Sequence, residues 1–368
     1  MSDVRVLFGP DAFRQRHGGV SRYFVNLHRE LLGLGVRSKI FAGLHDNADL
    51  QDTTGVLGLR TPEFRGRRRV SQAALYPVLR PSLRWARIYH DTWQQSPFPS
   101  SGHRIAVTIH DLTVIRLSRH FADDDTSRAL AEQARRCAEA DVVFAISHDI
   151  KADVVEMLRV PEEKVFVTPL AADLPAKIRP GRPATVRREP GRLLYVGGRT
   201  AYKNWPILVR ALAHSPGFHL VCAGGGAPTR EDYRVLAEHG VMDRVMFMAA
   251  DDDTLTGLYR NAAALVTTSL HEGFGQPVLE ALALGCPVIS CGSGAQPEIA
   301  GNAAFYYDPA HPDELVDLIR YLPTSPEGLR RLGEAGRLRA ATFTWAETAR
   351  RTLEGYRSIL DLTAHDSD

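Results

Sequence analysis

The sequence predicts an α/β fold built from two doubly wound, Rossmann-like domains. Three observations carry the prediction. Short runs of β-branched and apolar residues alternate with helical patterns through the first half of the chain. A break follows at 174–192, LPAKIRPGRPATVRREPGR, with four prolines and no apolar period. The alternation of strand and helix then restarts. Such alternation implies parallel sheets covered by helices on both faces. A break of that composition reads as a linker, and 368 residues suit two domains.

The elements follow in order. Val4 to Phe8 is a short apolar strand, and a polar loop with Gly18 and Gly19 comes next. A helical pattern starts at about Ser21, with Leu27, Leu31, Leu32 and Leu34 as its apolar face and Gly33 and Gly35 at its end. Arg37 to Ala42 is the next strand, followed by ARIYH (86–90), RIAVTIH (104–110), DVVFAIS (141–147) and KVFVTPL (164–170). Beyond the break the strands are RLLYVGG (192–198), HLVCAGGG (219–226), VMFMA (245–249), ALVTTS (264–269) and PVISCG (287–292). Trp345 to Leu362 reads as one amphipathic helix. The expected organisation is a first domain at 1–173, a linker at 174–191 and a second domain at 192–344, with a cleft between the domains.

Composition narrows the class. Hydrophobic residues make up 44% and charged residues 24%, a soluble globular profile. A net charge of +2 gives no bulk attraction for nucleic acid. Cys137, Cys222, Cys286 and Cys291 form no CxxC pair and read as small buried residues in a reducing compartment. The N-terminus MSDVRVLFGP lacks a secretory pattern, and the longest uncharged run, 281–297, is broken by Gly and Pro and too short to span a bilayer. The reading is a cytoplasmic protein.

In doubly wound folds, ligands bind outside the carboxyl ends of the strands. Unusual residues gather there. Arg199, Lys203 and Asn204 follow one strand, Gly224, Gly225 and Gly226 another, and His271, Glu272 and a GFG loop a third. Two strands of the first half end in His-Asp, at His90-Asp91 and His110-Asp111. Two cations, bare backbone and two carboxylates at strand ends point to a polar phosphorylated ligand. In HEGFGQPVLE, Pro277 suits the first position of a helix running Val278 to Leu284. The free amides at such a helix start favour a phosphate. Glu280 near that start has an ordinary reading as capping electrostatics. Its functional reading is a carboxylate that accepts hydrogen bonds from vicinal hydroxyls such as a ribose, with Glu272 doing the same for a sugar.

Arg199 and Lys203, four apart, read at their simplest as a solvated helix start. A cationic pair in a first turn opposes the helix dipole, which favours a diphosphate partner. Arg can fork across two phosphate oxygens and Lys adds a point charge. Taken alone, Gly18-Gly19 is an ordinary turn and His110 an ordinary strand-end histidine. No histidine falls in a metal-binding pattern, and no strand-flanked DxD is present, so no metal is expected. Residues 60–87 hold eight arginines and one acid. A solvated basic surface is the plain reading. An anionic acceptor or a membrane surface, with Tyr76 and Trp85 nearby, is the sharper one.

Several stretches together resemble a known family. HEGFGQPVLE, with glutamates eight apart, resembles the E-x7-E signature of the retaining glycosyltransferases of family four, which have the GT-B fold. VGGRTAYKN resembles that family's Arg…Lys diphosphate stretch, HGGVSRY its N-terminal glycine loop and VTIHDL its strand-His segment. FTWAETARRTLEGY resembles its C-terminal helix, which crosses back to the first domain, so 345–368 would join 1–173. The resemblance runs from about residue 4 to residue 357. YVGxRxxYKN in particular resembles bacterial mannosyltransferases that use GDP-sugars. VMFMAADDD departs from the pattern, with Ala249 and Ala250 where the family often has a glycine near the base.

The resemblance implies roles residue by residue. Glu280 would hold the ribose. Glu272 would contact sugar hydroxyls, with the amides around Phe274, Gly275 and Gln276. Arg199 and Lys203 would hold the diphosphate, with the amides of Val278 and Leu279, the Gly18-Gly19 loop and neighbouring Asn204. His110 would meet the donor sugar near its anomeric centre, with His90 and Asp111 on the acceptor side. The implied activity is metal-independent, retaining transfer of a hexose from a nucleotide sugar, GDP-mannose first, without a cofactor. The acceptor would be a glycan or lipid-linked oligosaccharide of a bacterial surface polysaccharide, reached at the inner membrane face by a peripheral contact through 60–87. Competing readings are a UDP-sugar donor, a nucleotide-sugar epimerase of the same architecture and a non-catalytic sugar-nucleotide-binding subunit. A glycosidase also uses two carboxylates, but an anion site is a poor neighbour for an acid that needs a raised pKa.

Overall fold

The computed structural model describes residues 3–16, 18–62, 76–92, 102–117, 124–172, 189 and 191–365. It divides into two compact units, Met1–Leu170 with Trp345–Asp368, and Ala171–Thr344. Most of the proline-rich stretch 174–191, and 63–75 of the arginine-rich segment, lie outside the described residues.

In the first unit, β1 (Arg5–Phe8), α1 (Gly19–Gly33), β2 (Arg37–His45) and β3 (Val56–Arg60) come first, then α2 (Tyr76–Trp85) and β4 (Ile88–Asp91). β5 (Arg104–Ile109), α3 (Asp124–Glu139), β6 (Val142–Ala145), α4 (His148–Met157) and β7 (Val165–Val167) follow. The sheet order is β3-β2-β1-β4-β5-β6-β7. Every described pairing is parallel, and Phe8 stands opposite Ile40 on one side and His90 on the other. Parallel pairs need crossovers and bury both faces of the sheet, which is why β6 reads VVFA and is buried throughout.

The inward face of α1 is Tyr23, Phe24, Leu27, His28 and Leu31. Leu32 and Leu34, read from sequence as part of that face, are 39% and 47% exposed. The helix starts at Gly19 rather than Ser21, so its phase is carried by the aromatic pair and not by the later leucines.

In the second unit, β8 (Arg192–Val196), α5 (Trp205–Ala213), β9 (His219–Ala223), α6 (Arg230–Glu238) and β10 (Val245–Met248) precede α7 (Asp252–Asn261) and β11 (Ala264–Thr267). Then come α8 (Gln276–Ala283), β12 (Val288–Ser290), α9 (Gln296–Ala300), β13 (Phe305–Tyr306), α10 (Asp313–Tyr321) and α11 (Pro326–Ala340). The sheet order is β10-β9-β8-β11-β12-β13, again parallel. Trp205, Leu208, Leu212, Leu220, Val266 and Ile289 lie in its core.

The last helix, α12 (Trp345–His365), packs on α1 and on β5, β6 and β7 of the first unit. Ala349, Leu353, Tyr356, Ile359 and Leu360 belong to the same core as Phe8, Phe24 and Phe144. Gly355 permits this approach, because a Cβ there would stand 2.5 Å from the Phe144 ring. These two parallel-sheet units are the Rossmann-like pair that the alternation predicted. β3 and β13 were not legible as strands. β3 (VLGLR) is a half-exposed edge with a glycine, and β13 has two residues. No helix among the described residues is long and apolar enough to cross a membrane.

Candidate functional site

In the second sheet the chain runs from β8 outward to β9 on one side and later returns to β11 on the other. The gap between the carboxyl ends of β8 and β11 is therefore a topological switch point, where doubly wound folds bind ligands. Lys203 closes a single 3-10 turn, Ala201–Lys203, after β8. Glu272 lies in the loop between β11 and α8. Two bonds tie these loops together: Thr268 Oγ1 donates to the Lys203 carbonyl (2.6 Å) and Leu270 N–H to the Tyr202 carbonyl (2.8 Å). Lys203 Nζ stands 2.5 Å from Glu272 Oε1, and the two side chains are 19% and 18% exposed. Ser269 Oγ donates to the same carboxylate oxygen at 2.5 Å. Tyr195, Thr267, Gly275 and Gln296 line a crevice beside Glu272.

Glu272 is fixed from behind. Its carbonyl accepts from Ala295 N–H at 2.9 Å. Gly294, at φ +61°, lies so close that a Cβ would stand 2.5 Å from that carbonyl oxygen and 2.7 Å from the Glu272 nitrogen. Gln296 braces the same corner, bonding to Thr267 Oγ1, to Ser290 Oγ (2.8 Å) and to the Ser293 carbonyl (3.3 Å).

The α8 start departs from expectation in two ways. Gln276, not Pro277, is its first residue, after Gly275 in the left-handed region at φ +87°. The amides of Val278 and Leu279, expected to face a diphosphate, both donate to the Gly275 carbonyl (2.9 and 3.2 Å). Pro277 has no N–H, so Gln276 is the first-turn donor that Gly275 does not take up. Phe274 offers only backbone, since its ring is buried against Phe343. Glu280 is 8% exposed and accepts from the Tyr259 hydroxyl at 2.9 Å and from Gln276 Nε2 at 3.4 Å. Burial, reinforced by the Glu280 charge, holds the Tyr259 pKa well above its ordinary value, so this hydroxyl remains a donor.

Arg199 is engaged by partners within the second unit. Its side chain is 4% exposed and its Nε lies 3.1 Å from Asp232 Oδ2. Nη1 donates to the Gly224 carbonyl (3.3 Å), and Nη2 to those of Gly226 and Ala227 (both 3.2 Å). The guanidinium also stacks 4.8 Å from the Phe247 ring. A phosphate would have to displace these partners. Burial alone would raise the Asp232 pKa, but hydrogen bonds from Thr229 and Arg199 outweigh it and leave the carboxyl below its ordinary range. Gly225 completes the packing, since a Cβ there would stand 2.5 Å from the Gly197 carbonyl. Arg199 sits in a loop and Lys203 in the 3-10 turn before α5, so neither loads a helix start as the spacing implied. Asn204 stands between them and α5 in the left-handed region, at φ +48°.

The remaining predicted residues belong to the first unit. Gly18 precedes α1 and Gly19 opens it, and a Cβ on Gly19 would meet nothing within 4 Å. Ser21 Oγ donates to Asp49 Oδ2 (2.6 Å) and Asn47 Nδ2 to the Gln15 carbonyl (2.6 Å), so the loop after β2 holds the glycine loop. His110 follows β5, edge-on to the Tyr23 ring at 4.9 Å, with its Nε2 buried and without a hydrogen-bond partner. Burial pushes its pKa down to about 3. Asp111 is exposed and accepts from Thr113 N–H at 2.6 Å, the first amide of a single helical turn. His90, expected on the acceptor side, is instead a core residue. It is fully buried, with Nδ1 2.6 Å from the Tyr356 hydroxyl and Nε2 2.8 Å from Thr108 Oγ1.

Sequence reasoning missed Asp232, Tyr259, Gly294 and Gln296. For Asp232 a signal existed: Thr229-Arg-Glu-Asp232 is a capping-box spacing, and the structure forms that box at the start of α6.

Comparison with known proteins matches residues 182–339 to the family described as Glycosyl transferases group 1 and residues 17–175 to Glycosyltransferase Family 4. An MMP alpha-(1->4)-mannosyltransferase of Mycolicibacterium hassiacum is 29% identical over 237 residues, 62% of this chain and 56% of the relative. A D-inositol 3-phosphate glycosyltransferase of Nocardia farcinica is 30% identical over 276 residues, 69% of this chain and 61% of the relative. The matches thus span less than two thirds of either relative. The crystal structure of Anabaena HepE in complex with UDP and glucose has a similar fold, with a TM-score of 0.72, 17% identity and coverage of 96% and 100% of the two chains. With two matched families running from residue 17 to residue 339 over two parallel-sheet units, the chain belongs to the glycosyltransferase group 1/family 4 superfamily of GT-B fold.

Proposed function

We propose that the protein is a retaining, metal-independent hexosyltransferase that uses a nucleotide sugar, with GDP-mannose as the first donor to test. The observation that carries this reading is the Lys203–Glu272 pair at the switch point between β8 and β11. A cation and a carboxylate held together suit a ligand with phosphate on one side and hydroxyls on the other. Lys203 takes charge that develops on the leaving diphosphate, and Glu272 accepts from sugar hydroxyls. The donor's C1–O bond breaks, the acceptor oxygen bonds to C1, and the acceptor's proton passes to the leaving phosphate oxygen on the same face. Glu280, which accepts from the Tyr259 hydroxyl, is the carboxylate that accepts from a ribose hydroxyl in this reading. Arg199 acts at one remove, ordering the Gly224–Ala227 carbonyls. The mannosyltransferase among the relatives supports mannose. UDP bound to a protein of similar fold keeps UDP-sugars as the second reading.

A thermal-shift screen against GDP, UDP, ADP and their sugars tests the donor. Stabilisation by GDP-sugars is expected, and stabilisation by UDP-sugars alone overturns the base. For the site, Lys203→Ala is expected to reduce transfer by about a thousandfold, the scale of losing one charge-stabilising donor. Arg199→Ala is expected to lower the melting temperature as well as the rate. Full activity of Lys203→Ala refutes the assignment. EDTA is expected to leave the rate unchanged, and a loss reversed by added metal refutes the metal-free mechanism.

A further inference from the structure

We propose that Tyr259 is a positioning residue for ribose recognition: its hydroxyl fixes one oxygen of Glu280, so that the other oxygen takes a ribose hydroxyl. This rests on the transferase reading above, in which Glu280 faces the ribose. Tyr259 lies on α7, which packs on β8, and Glu280 on α8, which packs on β11 and β12. The Tyr259–Glu280 bond thus joins two helices that back the switch point between β8 and β11.

A carboxylate as buried as Glu280 needs donors whatever its task. The unequal hold on its two oxygens is what assigns a task. Oε2 accepts from the Tyr259 hydroxyl at 2.9 Å, an ordinary length. Oε1 accepts from Gln276 Nε2 at 3.4 Å, beyond the usual range. The same nitrogen donates to the Ala171 carbonyl at 3.2 Å. One oxygen is held firmly, the other by a distant donor that is shared.

The two donors also differ in freedom. Tyr259 is fully buried, so packing fixes its ring and its hydroxyl meets no ligand. Burial, with the Glu280 charge, keeps the proton on that hydroxyl. Gln276 is half-buried at the start of α8. When its amide gives up Oε1, it keeps the Ala171 carbonyl as a partner. A ribose hydroxyl therefore exchanges for Gln276 at Oε1 at little cost. Exchange for Tyr259 at Oε2 would leave a fully buried hydroxyl unpaired, which is the expensive case. Tyr259 acts only through Glu280: it decides which carboxylate oxygen the ribose meets and holds that oxygen in place.

Titration calorimetry on the full chain tests this, with GDP, UDP and ADP and the 2′-deoxy and 3′-deoxy forms of each as probes. The parent is expected to bind a ribonucleotide at least about tenfold more tightly than a deoxy form, the scale of one hydrogen bond to a charged group. Tyr259→Phe keeps the ring and is expected to remove most of that preference by weakening the ribonucleotide alone. A tyrosine that merely stabilised the fold would weaken both forms alike and leave the ratio as it was. Gln276→Ala removes the competing donor and is expected to widen the preference severalfold. A parent that binds both forms alike, a full preference in Tyr259→Phe, or a preference lost in Gln276→Ala each overturns the positioning role. Should Tyr259→Phe fail to fold, the parent ratio and Gln276→Ala decide the question. Binding of none of the three ribonucleotides refutes the transferase reading and this inference with it, whereas a preference unmoved by Tyr259→Phe refutes the inference alone.

Discussion

Gly294 shows how much of the site is decided by one residue with no chemistry of its own. Its left-handed φ and its contact with the Glu272 backbone leave no room for a side chain. Gly294→Ala is therefore expected to cost about 1–2 kcal/mol from the backbone conformation alone, and more from displacing Glu272. The expected outcome is a lower melting temperature together with at least a tenfold loss of transfer, the latter from a weakened Lys203–Glu272 pair. Gly19→Ala is the control, because a Cβ there meets nothing, and its melting temperature should not fall. If Gly294→Ala melts and turns over like the parent, Glu272 is not positioned as described. Glu272 and Lys203 stand out in the sequence because charged residues at strand ends are legible in a string of letters. It missed Gly294 because two loops 22 residues apart meet only after the sheet forms. The partners of Arg199 were hidden for a related reason: three of them are backbone carbonyls, which leave no mark in side-chain identities.

Elements were more legible than contacts. The strands of both sheets were read to within a few residues wherever they are buried on both faces, because continuous apolar runs are what a central parallel strand requires. The α12 helix was read from its periodicity, and its apolar stripe lies in the first unit's core. Its polar anchor was invisible. Tyr356 sits against Phe144 and His90 with its hydroxyl 2.6 Å from His90 Nδ1. Tyr356→Phe keeps the ring and leaves a buried imidazole nitrogen unpaired, which costs about 1–3 kcal/mol. Thermal denaturation should show a fall of several degrees while nucleotide binding by the second unit is kept. A shift below one degree would mean that the pair contributes nothing net. By contrast, the exposed Glu-x-x-Arg-x-x-x-Glu clamps on α3, α6, α11 and α12 have clear geometry. Their solvent exposure screens the charges, so each pair adds little net stability.

For the whole molecule, the two units should part company in acid. Among the described residues, His28, His90 and His110 are histidines that burial holds below their ordinary pKa, and all belong to the first unit. For His90 the causes are burial first and then the neighbouring His110, and its value falls to about 3. An unfolded histidine titrates near 6.5. Between those values the unfolded chain binds a proton that the folded one refuses, so stability falls as pH falls. The contribution is intact above about pH 6.5, and His90 alone removes about 1.4 kcal/mol for each pH unit below it. His110 adds to this. In the second unit the described acid-sensitive groups of known direction are carboxylates, Asp232, Glu231, Asp251, Asp308 and Glu327, whose depressed pKa values keep their contribution until pH drops below the ordinary carboxylate range near 4. Hydrogen exchange followed by mass spectrometry at pH 7.5, 6 and 5 should therefore show protection lost first in β1–β7 and α12, with β8–β13 holding. His90→Gln should flatten the slope of first-unit stability between pH 6.5 and 5 even though it lowers stability at pH 7.5, because it removes the proton uptake and not only the hydrogen bonds. Simultaneous loss of protection in both units, or an unchanged slope in His90→Gln, would show that the buried imidazoles do not set the acid limit.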